Sequence, residues 1–388
     1  MSELELLLLV LVVLYAWECA CWVPRGSVAF RTWLGRRWRI AHPGTLLGNQ
    51  RAGFIFAPPL PPLGYFVASH QLPLSISAEA VLAHVAVSVN PGGRPPQTGK
   101  CFRFDAIRSL EARGRRVRIN GEVLLAASSP GQAAQLAQDL TRIWKCPPAE
   151  RPPVIQEWVR TRFEIKTVER LWGECRLELK PMRMTANLLF LWLFLGAPSL
   201  IWWTGLARCW VGLVAGLLGC TVMLALFFRR AHRKFYPPAE DERFNHFLIT
   251  LLSPVTAIRT QDLLTRPLLA RFHPLAVAKA LCPADRFEEF AAQVLRETRH
   301  PALPLCPIAD PVAQAAERQT RELLLEAIER LLKSGGLNPD RMLAPPKPEE
   351  GCRAYCPRCL AQFTANTGLC QDCGGLPVES FEEKRGMA

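Results

Sequence analysis

The chain has 388 residues, enough for two or three compact domains if all of it were water-soluble. Its 47 Lys+Arg against 34 Asp+Glu leave a net charge of +13, which suits an anionic partner, either nucleic acid or the negatively charged leaflet of a membrane. A hydrophobic fraction of 49% is ordinary for a globular protein, so composition alone does not mark a membrane protein; the distribution of apolar residues does.

The first element is an apolar stretch that starts at Leu6 and, interrupted by Tyr15 and Glu18, reaches Val23. It is preceded by Glu3 and Glu5 rather than by a basic region, and no small-x-small cleavage site follows it. An uncleaved transmembrane anchor over residues 1–23 therefore fits better than a removed signal peptide. Glu18, near the inner end, can reach water and reads as an ordinary interfacial acid rather than a functional one.

Residues 24–180 read as a small cytoplasmic α+β domain. The stretches "APPLPPLG" and "VNPGGRPPQTG" are too rich in Pro and Gly for long regular elements. In "RRVRINGEVLLA", Val117 and Ile119 alternate with Arg116 and Arg118, and Asn120-Gly121 supplies a type I′ hairpin turn. A helix then starts, with Ser129 as cap, Pro130 in the first turn and Gln132 closing a capping box. Ala133, Leu136, Ala137, Leu140, Ile143 and Trp144 mark one face of it at helical spacing, and Pro147-Pro148 end it. The strand–strand–helix order resembles the end of small bacterial pleckstrin-homology-like domains, a likeness of topology. A further helix is expected over about Pro153–Trp172.

Two uncharged apolar runs follow, Ala186–Trp203 and Cys209–Phe228, within a transmembrane helical hairpin at 186–228. Each has about the length a helix needs to cross roughly 30 Å of hydrocarbon, and Trp192, Trp202, Trp203 and Trp210 suit membrane interfaces. Gly212-x-x-x-Gly216 supports close helix packing. Lys180 and Arg183 precede the hairpin and Arg229, Arg230, Arg233 and Lys234 follow it, while only Arg208 lies between its halves. Arg25, Arg31, Arg36, Arg37 and Arg39 follow the first apolar segment. Both counts put the N-terminus outside and the main domains in the cytoplasm, with a short external turn around Thr204–Arg208. A bacterial inner membrane is the expected location. These clusters account for much of the positive charge, so nucleic-acid binding loses most of its support.

The remainder divides into a cytoplasmic helical region (235–336), a Pro- and charge-rich linker (337–351) and a terminal module (352–388). Phe287, Phe290, Ala291, Val294 and Leu295 form one docking stripe. A second helix carries Asp310 as N-cap, Pro311 in its first turn and Gly335-Gly336 beyond its end. Its Leu324, Ile328 and Leu331 span too few heptads to favour a coiled coil over an amphipathic helix packed on its neighbours.

Of 14 cysteines, four form two pairs, Cys356-x-x-Cys359 and Cys370-x-x-Cys373. That spacing lets two knuckles place four thiolates on one Zn²⁺ at about 2.3 Å. A redox dithiol or two disulfides are the alternatives; a cytoplasmic setting disfavours stable disulfides, and a thioredoxin-type pair needs a strand–helix context. Here the chain resembles the zinc-ribbon family over about residues 355–377. The resemblance implies Cys356, Cys359, Cys370 and Cys373 as ligands of one structural zinc, with Phe363 covering the small core and Cys352 outside the pattern. The second pair carries the expected glycine, Gly374, after its last cysteine, whereas the first has Leu360.

No phosphate-cradling Gly-x-x-x-x-Gly-Lys, Gly-x-Ser-x-Gly or His-Glu-x-x-His motif occurs, and the seven histidines are dispersed. Glu240, Asp241 and Glu242 look like a solvated helix start, and Asp105 and Glu111 like surface acids beside a strand. The fold class expected is therefore an α-helical membrane protein: an N-terminal anchor, a helical hairpin, a small α+β domain, a helical region and a zinc ribbon. The functional expectation is a non-enzymatic integral membrane protein, in contact with the lipid bilayer, whose zinc ribbon or cytoplasmic helices engage a protein partner, with homo-oligomerisation open. The alternatives are a membrane-bound enzyme with a site in 24–180, or a membrane-tethered nucleic-acid binder.

Overall fold

The computed structural model describes residues 3–21, 27–32, 38–41, 65–69, 74–83, 100–127, 130–235, 271–301 and 310–381, with isolated positions between Phe244 and Leu269. Among the described residues the α-helices are α1 (Glu3–Cys21), α2 (Pro130–Lys145), α3 (Arg151–Thr161), α4 (Ile165–Glu178), α5 (Lys180–Leu191), α6 (Ala197–Thr204), α7 (Leu206–Phe235), α8 (Pro274–Leu281), α9 (Ala284–Arg299), α10 (Pro311–Ser334) and α11 (Pro339–Met342). The chain forms two compact units, each assembled from separate stretches: residues 1–70, 128–132 and 165–283 make the first, and 71–127, 133–164 and 284–388 the second.

The first unit contains α1, an antiparallel sheet of β1 (Ser27–Thr32), β2 (Trp38–Ala41) and β3 (Tyr65–Ser69) in the order β2-β1-β3, and the helical hairpin. One arm of the hairpin is continuous from Lys180 to Thr204, 25 residues whose apolar 18-residue stretch has a mean hydropathy of 1.7; the other is α7, 30 residues whose apolar 18-residue stretch reaches 2.4. Both are long and apolar enough to span a membrane. In α1 the described apolar run is the shorter Leu4–Leu14. Between α5 and α6 lies a π-helical turn, Trp192–Gly196, in which the Ala197 N–H reaches Trp192 O. Pro198 directly follows, a residue with no N–H to continue the regular ladder. A single residue, Gly205, separates the arms, at φ +75° and ψ 149°, a conformation that strains any residue with a Cβ. The expected turn at Thr204–Arg208 is thus tighter than a loop.

Within the hairpin, Met182, Ala186, Leu189 and Leu193 pack with Leu224, Phe228 and Ala231, and the cluster continues through Leu179, between α4 and α5, to Cys175 of α4. The opposite faces stay exposed, including Met184, Leu188, Leu191 and Leu195 on one arm and Val211, Leu218, Val222 and Leu226 on the other. Gly216 admits the Trp192 indole: a Cβ there would lie 2.7 Å from the ring. Gly212 and Gly219 face open space, so only one glycine of the Gly212-x-x-x-Gly216 pair serves packing inside the hairpin.

The second unit holds two antiparallel meanders, β4 (Leu74–Ile76), β5 (Ala80–Ala83), β6 (Lys100–Arg103), and β7 (Leu110–Arg113), β8 (Arg116–Ile119), β9 (Glu122–Ala126). The expected hairpin turn is present, with Asn120 at φ +52° and Gly121 at φ +83°, the pair of positive angles a type I′ turn requires. Val117 and Ile119 are fully buried. They share one core with Leu74, Ile76, Val81, Phe104 and the α2 residues Ala133, Ala137, Leu140 and Ile143. The proposed cap Ser129 lies outside the described residues. The helix expected over Pro153–Trp172 is instead two: after Thr161 the chain closes tight turns, Arg162 N–H to Val159 O and Phe163 N–H to Arg160 O, which bury Phe163 before α4 begins.

α10 packs on β4 and β5, and α9 packs on α10. Phe287, Phe290, Ala291, Val294 and Leu295 are all buried, as the stripe requires. The Asp310 side chain accepts from Val312 N–H, and Gly336 takes φ +76° past the helix end, so both expected ends of α10 form. Ile328 and Leu331 are buried against neighbours, the amphipathic-helix outcome.

Candidate metal centre

The terminal module is built from two-residue strands, β10 (Ala354–Tyr355), β11 (Gln362–Phe363), β12 (Leu369–Cys370), β13 (Leu376–Pro377) and β14 (Glu379–Ser380), in two small sheets. Its apolar core is slight. Phe363, Leu376 and Val378 pack on Cys356, Cys370 and Cys373, and Tyr355 stacks on Phe381 with ring centroids 5.0 Å apart. Tyr355 also donates to a Glu379 carboxylate oxygen at 2.8 Å.

Each cysteine pair sits on a knuckle. In the first, Leu360 N–H bonds Cys356 O at 2.9 Å and Leu360 takes φ +62°. In the second, Gly375 N–H bonds Cys370 O at 2.9 Å and Gly374 takes φ +73°. The residue after each pair thus occupies the same left-handed region, with glycine at one and a strained leucine at the other. The missing glycine does not prevent the turn.

The two knuckles bring together all four expected ligand residues. The Sγ atoms of Cys356, Cys359, Cys370 and Cys373 lie within 4.8 Å of one another; Cys359 is exposed and the other three are buried. Cys359 and Cys370 sulfurs are 3.7 Å apart and no cysteine here is disulfide-bonded. Four thiolates at about 2.3 Å in a tetrahedron stand about 3.8 Å from each other, so the donor set fits one tetrahedral thiolate-loving ion. Cys352 is not in the cluster. Burial pushes the Cys356 thiol up, but the backbone N–H groups of Cys359 and Arg358, with the thiols of Cys359 and Cys370, donate to it and hold it below the usual thiol value. Burial pushes Cys359 up to about 11, against a donated Ala361 N–H. Cys373 is pushed up too, by burial and then by the neighbouring Cys359 and Cys356. Four thiolates cannot share this volume without a cation, while the amides aimed at the sulfurs suit thiolates that have one.

Interactions with distant chain fix the knuckle region. Arg358 donates to His300 O at 3.0 Å and to Glu297 O at 3.4 Å, and its guanidinium lies 3.7 Å from the Glu297 carboxylate. Gln362 receives Glu349 N–H and donates to Lys347 O. The segment read as a linker is therefore pinned by one side-chain amide. Sequence reading missed both contacts, because neither an Arg in a turn nor a Gln in a two-residue strand announces a partner sixty or fifteen residues away.

The other residues singled out do not converge. Asp105 and Glu111 are exposed. His232 and His273 are buried in helical surroundings, His273 accepting from Leu275 N–H at the start of α8. His42, His70, His84, His246, Glu240, Asp241 and Glu242 lie outside the described residues, as does the side chain of Glu18. No family model, curated protein or solved structure matches the chain.

Proposed function

We propose that this chain is a non-enzymatic integral membrane protein that presents a zinc ribbon for protein recognition or assembly. The observation that carries the reading is the four-cysteine cluster: a Cys₄ tetrahedron is coordinatively closed, leaves no position for water or substrate, and acts by holding a small fold together. Zinc is the ion this donor set suits best, having no redox chemistry with thiolates and a tetrahedral preference. The hairpin supports the membrane half of the reading. Trp202 and Trp203 at its turn are 77% and 82% exposed, as aromatic side chains at a membrane interface would be. The basic end of the hairpin belongs on the cytoplasmic side, with α1 as a further anchor and the N-terminus outside.

The test has two arms. A membrane-impermeant thiol probe applied to intact cells should label a cysteine inserted before Glu3 and leave Cys352 unlabelled; the reverse pattern sinks the orientation. Detergent-solubilised protein should lose its co-purifying partner when residues 352–388 are deleted. Unchanged recovery of the same partner would refute recognition through the ribbon.

A further inference from the structure

The exposed apolar row of α5, Leu188 and Met184, runs into Lys180 at helical spacing. On α7 the exposed row Leu218, Val222 and Leu226 runs into Arg229 and Arg233. Lys180, Arg229 and Arg233 are exposed, and among the described residues they join no ion pair. Their neighbours differ. Glu178, half-buried at the end of α4, accepts from Arg230 Nε at 3.2 Å and Lys234 Nζ at 2.8 Å. The cations at this end therefore divide: Arg230 and Lys234 share the single Glu178 carboxylate of α4 and Arg183 is half-buried, while Lys180, Arg229 and Arg233 are exposed and continue the exposed apolar rows of the hairpin.

Depth agrees with this division. At about 1.5 Å rise per residue, Lys180 and Arg229 both stand roughly 35 Å along their helices from the Gly205 turn. A hydrocarbon core is about 30 Å thick, so both fall in the headgroup layer on the same side. The turn end carries Arg208 instead, beside exposed tryptophans.

Resting on the membrane reading above, we propose that Lys180, Arg229 and Arg233 form a binding surface for the phosphodiester headgroups of anionic lipids in the bilayer around the hairpin. Nucleic acid would require a continuous basic face in water; these cations instead continue lipid-facing rows, which favours the lipid. An anionic surface attracts each nearby Lys or Arg by about a fivefold preference.

Full-length protein reconstituted into phosphatidylcholine bilayers, with trace spin-labelled phosphatidylglycerol or phosphatidylcholine, measures this as the motionally restricted boundary fraction of each lipid. Wild type should enrich phosphatidylglycerol roughly fivefold over phosphatidylcholine. The Lys180→Gln/Arg229→Gln/Arg233→Gln variant should bring the two lipids level, with the restricted phosphatidylcholine fraction unchanged because the hairpin stays inserted. Arg208→Gln, and the charge-keeping Arg229→Lys/Arg233→Lys, should retain the preference. Equal restriction of both lipids by wild type overturns the proposal, and so does a preference that survives the triple substitution. Absence of a restricted component for either lipid overturns the membrane reading and this inference with it.

Discussion

Asn120 does more than permit a turn. Its side-chain oxygen accepts from Arg108 and Ser109 N–H, and its amide donates to Ala106 O, so one residue ties the β8–β9 turn to the segment before β7. Thr320 plays a comparable part in α10. Its hydroxyl accepts from Ile76 N–H at 2.7 Å and donates to Ile76 O at 3.0 Å, satisfying both backbone groups of a fully buried strand residue as a neighbouring strand would. Thr320→Val keeps the shape and leaves both groups orphaned. The expected loss is about 2 kcal/mol in thermal unfolding, with the Ile76 amide becoming faster to exchange. Leu360 offers the opposite case. Its left-handed backbone costs about 1 kcal/mol relative to glycine, partly offset by the greater freedom of glycine in the unfolded chain. Leu360→Gly should therefore leave the ribbon equally stable or more stable by up to about 1 kcal/mol, read as resistance of bound metal to a chelator.

At the scale of elements, the hairpin depends on one notch and one ion cluster. Gly216→Ala places a methyl against the Trp192 ring and should destabilise the detergent-solubilised hairpin by about 1–2 kcal/mol. Gly212→Ala and Gly219→Ala meet open space and should stabilise it by roughly 0.5–1 kcal/mol through helix propensity. Equal effects at all three positions would contradict the packing. At the base of the hairpin, the Glu178 carboxyl is held below the ordinary glutamate value, first by Lys234 donating to it and then by Arg230. A depressed folded-state pKa means that this stabilisation is present above the unfolded value of about 4.3 and fades as pH falls through the lower folded one. Amide exchange at residues 229–234 should accelerate across that acid window in wild type, while Glu178→Gln should show no such pH dependence.

At the scale of the whole molecule, the second unit brings strands from the first third of the chain together with its last hundred residues. The ribbon is part of that unit rather than a pendant. We expect about one zinc per chain, with Cys370→Ser losing it and unfolding residues from about Tyr355 onward, since metal binding and folding are coupled in so small a core. Elemental analysis decides it, and full occupancy in Cys370→Ser would show the ligand set to be wrong. Arg358→Ala should keep the metal but release the ribbon from the end of α9, seen as faster exchange around Glu297–His300 and not at the knuckles.

What the sequence determined by itself was local chemistry with a short period or a fixed spacing. Asn120-Gly121 dictates its turn, Asp310-Pro311 starts its helix, the apolar runs make long helices, and two Cys-x-x-Cys pairs gather four sulfurs. Each works through atoms within a few residues, or through one repeated type of side chain. Tertiary structure alone decided which stretches share a core: that α10 would complete β4 through Thr320, that Arg358 would reach the end of α9, and that Glu178 would claim Arg230 and Lys234 but not Arg229 or Arg233. Those choices depend on which long-range contacts offset the entropy of closing the loops between them, and nothing in the local pattern of a Thr, an Arg or a Glu records its distant partner.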